Sequence, residues 1–205
     1  KNMPDAISWL QTTYLYSRML SDPQLYEVYT DRATAEENLS AYCEDLCHSA
    51  FTYLQEQELA VYKAVEGTIH ATILGRISSF YYLRHDSVAN YNTSLEKTFS
   101  LVELFSVFGQ SAEFQYMAVR EEEKYELKKL MDNTPIPVKD SLDEPSTKIN
   151  VLLQSYISRL KLDGFALNAD MVYINQNAGR LLKALFEIAL QKKWSRISKL
   201  LLTTS

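Results

Sequence analysis

Five side chains near the C-terminus have the types and spacing needed to contact a nucleic-acid strand. An aromatic ring can stack on a base, amides can hydrogen-bond base edges or sugars, and cations can neutralise phosphates. The five recur at helical intervals along one segment: Tyr173, Gln176, Asn177, Arg180 and Lys183. An ordinary solvent-exposed helix face has the same composition, and on the pattern alone it is the simpler interpretation.

A helix over about residues 169–194 is needed to bring these side chains together. Its apolar residues recur every three or four positions and would face a core. They are Met171, Ile174, Ala178, Leu181, Leu182, Leu185, Ile188 and Ala189. Asn168 or Asp170 is predicted to cap the start of this helix.

No pattern for catalysis or metal binding competes with this face. None of the five glycines begins a phosphate loop, and the three histidines stand in no nucleophile or metal pattern. Cys43 and Cys47 lack further zinc ligands, so we expect two buried thiols. The carboxylates of 121–123 are of a type that catalysis uses, but a solvated helix face is the preferred interpretation. The sequence predicts no catalytic residue, no metal site and no cofactor in this chain.

The composition bounds what the chain can bind. With 205 residues, 46% of them hydrophobic, it can bury one large core or two small ones, and we expect two modules. The net charge of −5 lacks the basic excess of an independent nucleic-acid binder, so any contact with RNA must be local. No apolar run approaches the roughly 20 residues that span a bilayer, which predicts a soluble intracellular chain with no membrane partner.

The first module is predicted to be helical with a small β-hairpin. One helix covers residues 7–20 and stops before Pro23, and a second runs from about 34 to 58. Residues 59–65 and 68–74 are predicted strands joined by a turn at Glu66 and Gly67. Helices followed by a two-stranded wing are typical of a winged helix, although other small α+β domains share this order.

The remainder of the chain is predicted to be helical. Asp86 is a candidate N-cap for a helix over 87–95, and Ser100 with Glu103 forms a candidate capping box. Three prolines make residues 133–146 a connector between helices. No strand is predicted after Gly75.

Six motifs in order resemble the Ski-two-like helicases, and among them the spliceosomal helicases of the U5 small nuclear ribonucleoprotein. They are Arg18-Met-Leu-x-x-Pro23-x-Leu-Tyr26, Leu74-Gly-Arg-Ile-x-Ser-x-Tyr-Tyr82, Val119-Arg-Glu-Glu-Glu123, Pro135-Ile-Pro-Val-Lys139, Glu144-Pro-Ser-x-Lys-Ile-Asn-Val-Leu-Leu-Gln154 and Gly164-Phe-Ala-Leu-x-Ala-Asp-Met-Val-Tyr173. The stretch from Pro135 to Asn150 favours the N-terminal, active helicase cassette. Residues 29–41 match poorly, and a helicase of the translation-quality or DNA-repair branches is an alternative.

The resemblance implies a fold and its division. The fold would be mainly α, with residues 1–84 forming a winged-helix domain that has a small two-stranded wing. Residues 85–205 would begin the helical bundle of the Sec-homology module, incomplete at its C-terminal end. Both RecA-like motor domains, which bind ATP and magnesium in this family, would lie outside this chain.

The resemblance also implies a function. The helix from Asp170 to about Lys192 would be the ratchet helix, on which Tyr173, Asn177 and Arg180 face a translocating RNA strand, with Gln176 and Lys183 as further contacts. The chain would be a non-catalytic part of a nuclear ATP-dependent helicase that unwinds paired small nuclear RNAs in pre-mRNA splicing. Its partners would be single-stranded RNA, the motor domains and other proteins of the particle. The alternative is a protein-docking module without RNA contact.

Overall fold

The computed structural model describes residues 2–26, 28, 35–95 and 100–204. Within them the chain is mainly helical with one two-stranded sheet, as predicted. It divides into two compact units, residues 1–76 and 77–205. The domain boundary at residue 84 stays a prediction. Residues 29–34, part of the segment that matches the family poorly, lie outside the described residues, as does the predicted helix start at residue 34.

The first unit packs two short helices and a β-hairpin on one long helix. Its elements are α1 (Met3–Gln11), α2 (Tyr14–Ser21), α3 (Ala35–Glu56), β1 (Ala60–Lys63), β2 (Thr68–Ala71) and the start of α4 (Ile73–Phe80). Helix α3 carries Cys43 and Cys47, which are buried as expected. Burial raises the pKa of both thiols.

The predicted single helix over residues 7–20 is in fact two helices. Thr13 ends the first and caps the second: its hydroxyl donates to the Leu10 carbonyl at 2.6 Å and accepts from the Tyr16 amide at 3.4 Å. A threonine side chain at this position competes with the helical ladder. The predicted stop before Pro23 is confirmed, because α2 ends at Ser21.

The β-hairpin is confirmed but is shorter than predicted. Its strands pair antiparallel from Ala60 opposite Ala71 to Lys63 opposite Thr68. Gly67 supplies the positive φ of 60° that the turn needs. The second strand ends early because the Thr72 hydroxyl accepts from the Gly75 amide at 3.1 Å and caps α4.

The second unit is a helical bundle with no strand in its described residues. Its helices after α4 are α5 (His85–Ser94), α6 (Leu101–Gly109), α7 (Lys124–Met131), α8 (Pro145–Ile157), α9 (Phe165–Gln191) and α10 (Ser195–Thr204). Helices α6 and α8 approach so closely that a Cβ on Gly109 would lie 2.6 Å from the Ser146 carbonyl oxygen. Glycine at this position therefore sets the spacing of the two helices.

The cap predictions succeed at one helix and fail at two. The capping box of α6 is confirmed: the Ser100 amide donates to Glu103 at 2.6 Å, and the Glu103 amide donates back to the Ser100 hydroxyl at 3.4 Å. Asp86 is not an N-cap, because α5 begins at His85. Asn168 and Asp170 do not cap α9 either, since that helix begins at Phe165.

The proline-rich connector is held by one buried amide of α8. Gln154 accepts from the Ile136 amide at 2.9 Å and donates to the Ile136 carbonyl at 3.1 Å. This pairing reproduces the two bonds of a β-ladder with a side chain, so both polar groups of Ile136 are satisfied. Residues 133–144 accordingly follow the bundle without a helix or strand of their own.

A buried ionic cluster ties α8 to α9 and to the segment before α7. The Lys148 ammonium is fully buried and contacts Asp170 at 2.7 Å, the Ala118 carbonyl at 2.9 Å and Glu123. Arg120 lies 3.2 Å from the second oxygen of Glu123. The expectation of a solvated carboxylate run is therefore wrong at Glu123, which is buried as a counter-ion. Two cations face two carboxylates, so the cluster is neutral.

Among the described residues, four helices end in the same hydrogen-bonded turn, each with a non-glycine residue in the left-handed conformation. In α8 the Arg159 amide donates to the Tyr156 carbonyl and the Leu160 amide donates to Ser155, which is the Schellman arrangement. The positions with φ between 53° and 58° are Glu58, Tyr82, Arg159 and Lys193. A left-handed conformation costs roughly 1–2 kcal/mol for a residue with a Cβ.

We expect Glu123→Gln to lower the free energy of unfolding by about 3 kcal/mol at pH 7, because it leaves a buried cation short of a counter-ion. Burial alone would raise the pKa of Glu123, but Lys148 and Arg120 hold it below the ordinary value. A depressed folded-state pKa stabilises the protein above the unfolded value near 4.5 and ceases to do so as the pH falls through the folded value. In urea titrations, the difference in the free energy of unfolding between the parent and Glu123→Gln should therefore shrink below about pH 4.5.

Glu122→Gln is the control, because Glu122 is the exposed neighbour and should change stability by less than about 0.5 kcal/mol. If the difference in the free energy of unfolding between the parent and Glu123→Gln stays constant from pH 7 to pH 3.5, Glu123 is not an ionised, ion-paired residue.

Arg159→Gly should raise the free energy of unfolding by about 1 kcal/mol, since glycine adopts the left-handed conformation without a steric penalty. Arg159→Ala removes the same exposed side chain but keeps a Cβ, so it should bring no such gain. Chemical denaturation of the three proteins at one pH checks this. Equal gains from glycine and alanine would locate the effect in the arginine side chain.

Candidate nucleic-acid interface

The five predicted contact residues all lie on α9, a helix of 27 residues. At 1.5 Å per residue it is roughly 40 Å long. Its apolar side is packed from Ile174 to Ala189, which confirms the predicted core face. Asp170 anchors its first half in the Lys148 cluster. The opposite side of α9 is therefore presented by a helix that is fixed at several points.

Arg180 and Asn177 form a hydrogen-bonded clamp at the end of α4. The Arg180 guanidinium donates to the Asn177 side-chain oxygen through Nε at 3.1 Å and Nη2 at 2.6 Å. Its Nη1 donates to the Tyr81 carbonyl at 3.3 Å and to the Tyr82 carbonyl. Four of the five N–H groups of the guanidinium are thus engaged, and one on Nη2 remains. The positive charge is fixed in place rather than mobile.

Asn177 is buried rather than on a wet face, with 9% of its surface exposed. Its amide nitrogen donates to the Tyr173 carbonyl at 2.8 Å, and its oxygen is taken by Arg180. The side chain therefore orients the guanidinium from within the helix surface. Asn177 therefore positions Arg180, and its side-chain oxygen has no lone pair left to accept a hydrogen bond from solvent.

Tyr173 is held at both ends of its ring. Its hydroxyl donates to the Glu113 carbonyl at 3.1 Å, and its ring meets Phe114 edge-on with the centroids 6.2 Å apart. The Glu113 carboxylate in turn accepts from the Arg84 amide at 2.8 Å and from the Ser87 hydroxyl. The Tyr173 side chain is still 46% exposed, so a fixed aromatic surface faces solvent.

Gln176 and Lys183 are exposed on the open side of α9. Gly179 lies between them, and a Cβ built there meets no atom within 4 Å. The structure therefore brings Tyr173, Asn177 and Arg180 into one bonded line, with Gln176 and Lys183 beside it. Together they present an aromatic ring, an amide and two cations, which can stack on bases and pair with phosphates.

The sequence-based interpretation missed the residues that position this line. The carbonyls of Tyr81 and Tyr82 hold Arg180, and the backbone of Glu113 holds Tyr173. Backbone acceptors carry no residue-type signature. Tyr82 exposes its carbonyl because it is in the left-handed conformation that ends α4, with φ of 53°.

Other kinds of site are not evident in the described part of the chain. No group of three or more His, Cys, Asp or Glu side chains there is arranged to hold a metal ion. Among the same residues, no helix has the length and apolarity to cross a membrane.

Comparison with known proteins supports both halves of the fold. Residues 71–205 match the family model of the Sec63 Brl domain, and residues 1–63 match that of a winged helix-turn-helix domain. The U5 small nuclear ribonucleoprotein 200 kDa helicase of Drosophila melanogaster is 49% identical over 99% of this chain and 10% of its own length. The human protein of that name is 50% identical over 97% of this chain and 9% of its own length.

The pre-mRNA-splicing factor brr2 of Schizosaccharomyces pombe is 50% identical over 100% of this chain and 9% of its own length. The predicted winged helix and the resemblance to spliceosomal helicases are confirmed by these matches. The chain spans about a tenth of the length of the curated relatives it matches.

Arg180→Ala should lower the free energy of unfolding by about 1–2 kcal/mol, because it leaves two carbonyls of the α4 end and the Asn177 oxygen, all partly open to water, without their donor. Lys183→Ala removes an exposed cation from the next turn of the same helix, so it should cost less than about 0.5 kcal/mol. Urea unfolding of both variants measures the difference. Equal stabilities would show that the clamp does not hold in solution.

Proposed function

Because the chain belongs to the Sec63 Brl domain family and is about half identical to the matching part of the U5 small nuclear ribonucleoprotein 200 kDa helicases, we propose that α9 grips and guides single-stranded RNA. The observation that carries this proposal is the fixed line of Tyr173, Asn177 and Arg180 on a helix packed along its other side. Such a surface offers contacts to any strand without reading its sequence.

Each residue of the line has a chemical role in this proposal. The Tyr173 ring stacks on a base, and the Gln176 amide hydrogen-bonds a base edge or a sugar. Arg180 supplies a fixed positive charge and one remaining donor to a phosphate, while Lys183 adds a mobile cation. Asn177 positions Arg180 and does not itself touch the strand. Because the anchored groups cannot follow the strand, they resist its slipping back between successive steps of a motor.

We propose the helicase activity for a whole protein that contains this chain, as the matching part of its relatives suggests. ATP and magnesium would bind in RecA-like motor domains outside this chain, and their closure would move the strand across α9. The substrate would be paired small nuclear RNAs, unwound during pre-mRNA splicing in the nucleus. The partners would be the motor domains and other proteins of the U5 particle. The chain itself would then be a non-catalytic part of an RNA helicase.

A protein-docking role is a second candidate, and it rests on exposed aromatic residues away from α9. In the first unit, Trp9 is 69% exposed and Tyr14 is 77% exposed. Large aromatic side chains are enriched at the centres of protein interfaces. In this alternative, RNA affinity would be independent of the Tyr173 ring, and substitution of Trp9 would weaken binding to a protein of the U5 particle.

We expect Tyr173→Leu to weaken binding to a fluorescent single-stranded RNA by about 5- to 100-fold, because it removes a base-stacking surface. Tyr173→Phe keeps the ring and loses only the hydroxyl bond to Glu113, so its affinity should stay within a few-fold of the parent. Fluorescence anisotropy at low salt measures both. This pair avoids the ambiguity of Arg180→Ala, which also disturbs the fold.

Tyr125→Leu is the matched control, since Tyr125 lies on α7 and is almost fully exposed. If Tyr173→Leu and Tyr125→Leu bind RNA equally well, α9 does not grip the strand and the docking role is favoured. Circular dichroism of each variant confirms that the compared proteins are folded.

A further inference from the structure

The turn between α9 and α10 concentrates positive charge in an acidic chain. From Lys192 to Lys199 the sequence has four cations, and no Asp or Glu occurs from residue 188 to 205. The whole chain has a net charge of −5, so this accumulation is local. We define the basic corner as Lys193, Arg196 and Lys199, the three of these cations that are exposed.

The backbone of the basic corner is fixed. The Trp194 amide donates to the Ala189 carbonyl at 3.0 Å and the Lys193 amide donates to Leu190 at 2.9 Å, which closes α9 with a Schellman turn. Ile197 and Leu201 are fully buried and hold α10 in the bundle. The three exposed cations therefore project from a defined surface and not from a frayed end.

Lys192 differs from the other three cations because it is used within the fold. Its ammonium donates to the Asn92 carbonyl and lies 4.9 Å from the centre of the Trp194 ring. Within the described residues, by contrast, none of the cations of the basic corner forms a side-chain hydrogen bond or an ion pair. Arg196 and Lys199 lie three residues apart on α10, where like charges repel, and Lys193 lies in the left-handed turn that precedes this helix.

A surface of fixed, unpaired like charges fits a polyanion. Each cationic side chain that binds a phosphate releases a counter-ion from the nucleic acid. The bound phosphates also reduce the repulsion between the cations. Lys183 on the open side of α9 is ten residues before Lys193, roughly 15 Å along the helix. This separation is the length of a few nucleotides, so a strand that continues from Lys183 toward the end of α9 would reach the basic corner.

We propose that the basic corner binds the phosphodiester backbone of the same RNA strand that α9 contacts, as a second and purely electrostatic site. This inference rests on the proposed function of α9. The two sites use different chemistry, since stacking on Tyr173 depends little on salt, whereas phosphate neutralisation depends on it strongly.

The test is the salt dependence of RNA binding by the 205-residue chain, measured by fluorescence anisotropy with a 15-nucleotide single strand. Replacing Lys193, Arg196 and Lys199 by Gln should reduce the slope of log affinity against log salt by about 2, given about 0.7 for each phosphate on a single strand. The control replaces three exposed lysines elsewhere in the second unit, Lys128, Lys129 and Lys161, by Gln and changes the net charge equally.

A slope that falls equally in both triple variants would overturn the inference, because it would show a general charge effect. An unchanged slope in the corner variant would overturn it too. The outcome for α9 is separate: if Tyr173→Leu binds like the parent while the corner variant loses slope, the basic corner binds phosphate, but the proposed grip fails and the corner is not a second site on a strand held by α9. No binding by the parent at low salt would contradict both.

Lys193→Gly separates binding from folding. Lys193 has φ of 57°, a conformation that favours glycine, so the variant should unfold at a higher temperature than the parent. The same variant should lose about 0.7 from the salt slope. If Lys193 has only a structural role, Lys193→Gly will change the unfolding temperature in either direction and leave the salt dependence of RNA affinity unchanged.

Discussion

The buried ammonium of Lys148 is the group on which the arrangement of the second unit depends. A fully buried charge is tolerated only when its counter-ions and acceptors are all in place. Here they come from two other parts of the chain: Glu123 and the Ala118 carbonyl before α7, and Asp170 on α9. A packing of these segments that displaced any one of them would leave an uncompensated charge in the core. The cluster therefore selects one arrangement among the many that an apolar bundle allows.

The helix whose position depends most on the Lys148 cluster is α9. Its buried side is lined with Leu, Ile and Ala, and such a face can slide by one turn with little loss of apolar contact. Asp170 prevents this near its start, since only one register places it 2.7 Å from Lys148. Arg180 does the same ten residues later, where it meets the carbonyls at the end of α4. Two polar anchors on one helix fix both its position and its rotation, which a strand-gripping surface requires.

The sequence predicted those features that depend on local pattern. Apolar periodicity located the core side of α9, and the capping box of Ser100 and Glu103 is complete within four residues. The sequence did not predict features that depend on contacts between distant residues. Asp170 has the residue type of an N-cap, yet it lies inside α9 as a counter-ion for a lysine that is 22 positions away. Glu123 stands in a charged run that is typical of a solvated face, and only the fold shows that it is buried.

Local pattern was also insufficient for the proposed contact face on α9. Spacing alone groups Tyr173, Asn177 and Arg180, but the structure divides the five residues by what they already bind. Arg180 and Asn177 are engaged with the fold, whereas Gln176 and Lys183 are exposed. A cation bound to backbone carbonyls keeps its charge and loses its mobility, so it contacts a phosphate without the entropic cost of ordering a long side chain. In the proposed grip, an acidic chain would therefore hold a polyanion with few cations, because some of them are fixed in advance by hydrogen bonds within the fold.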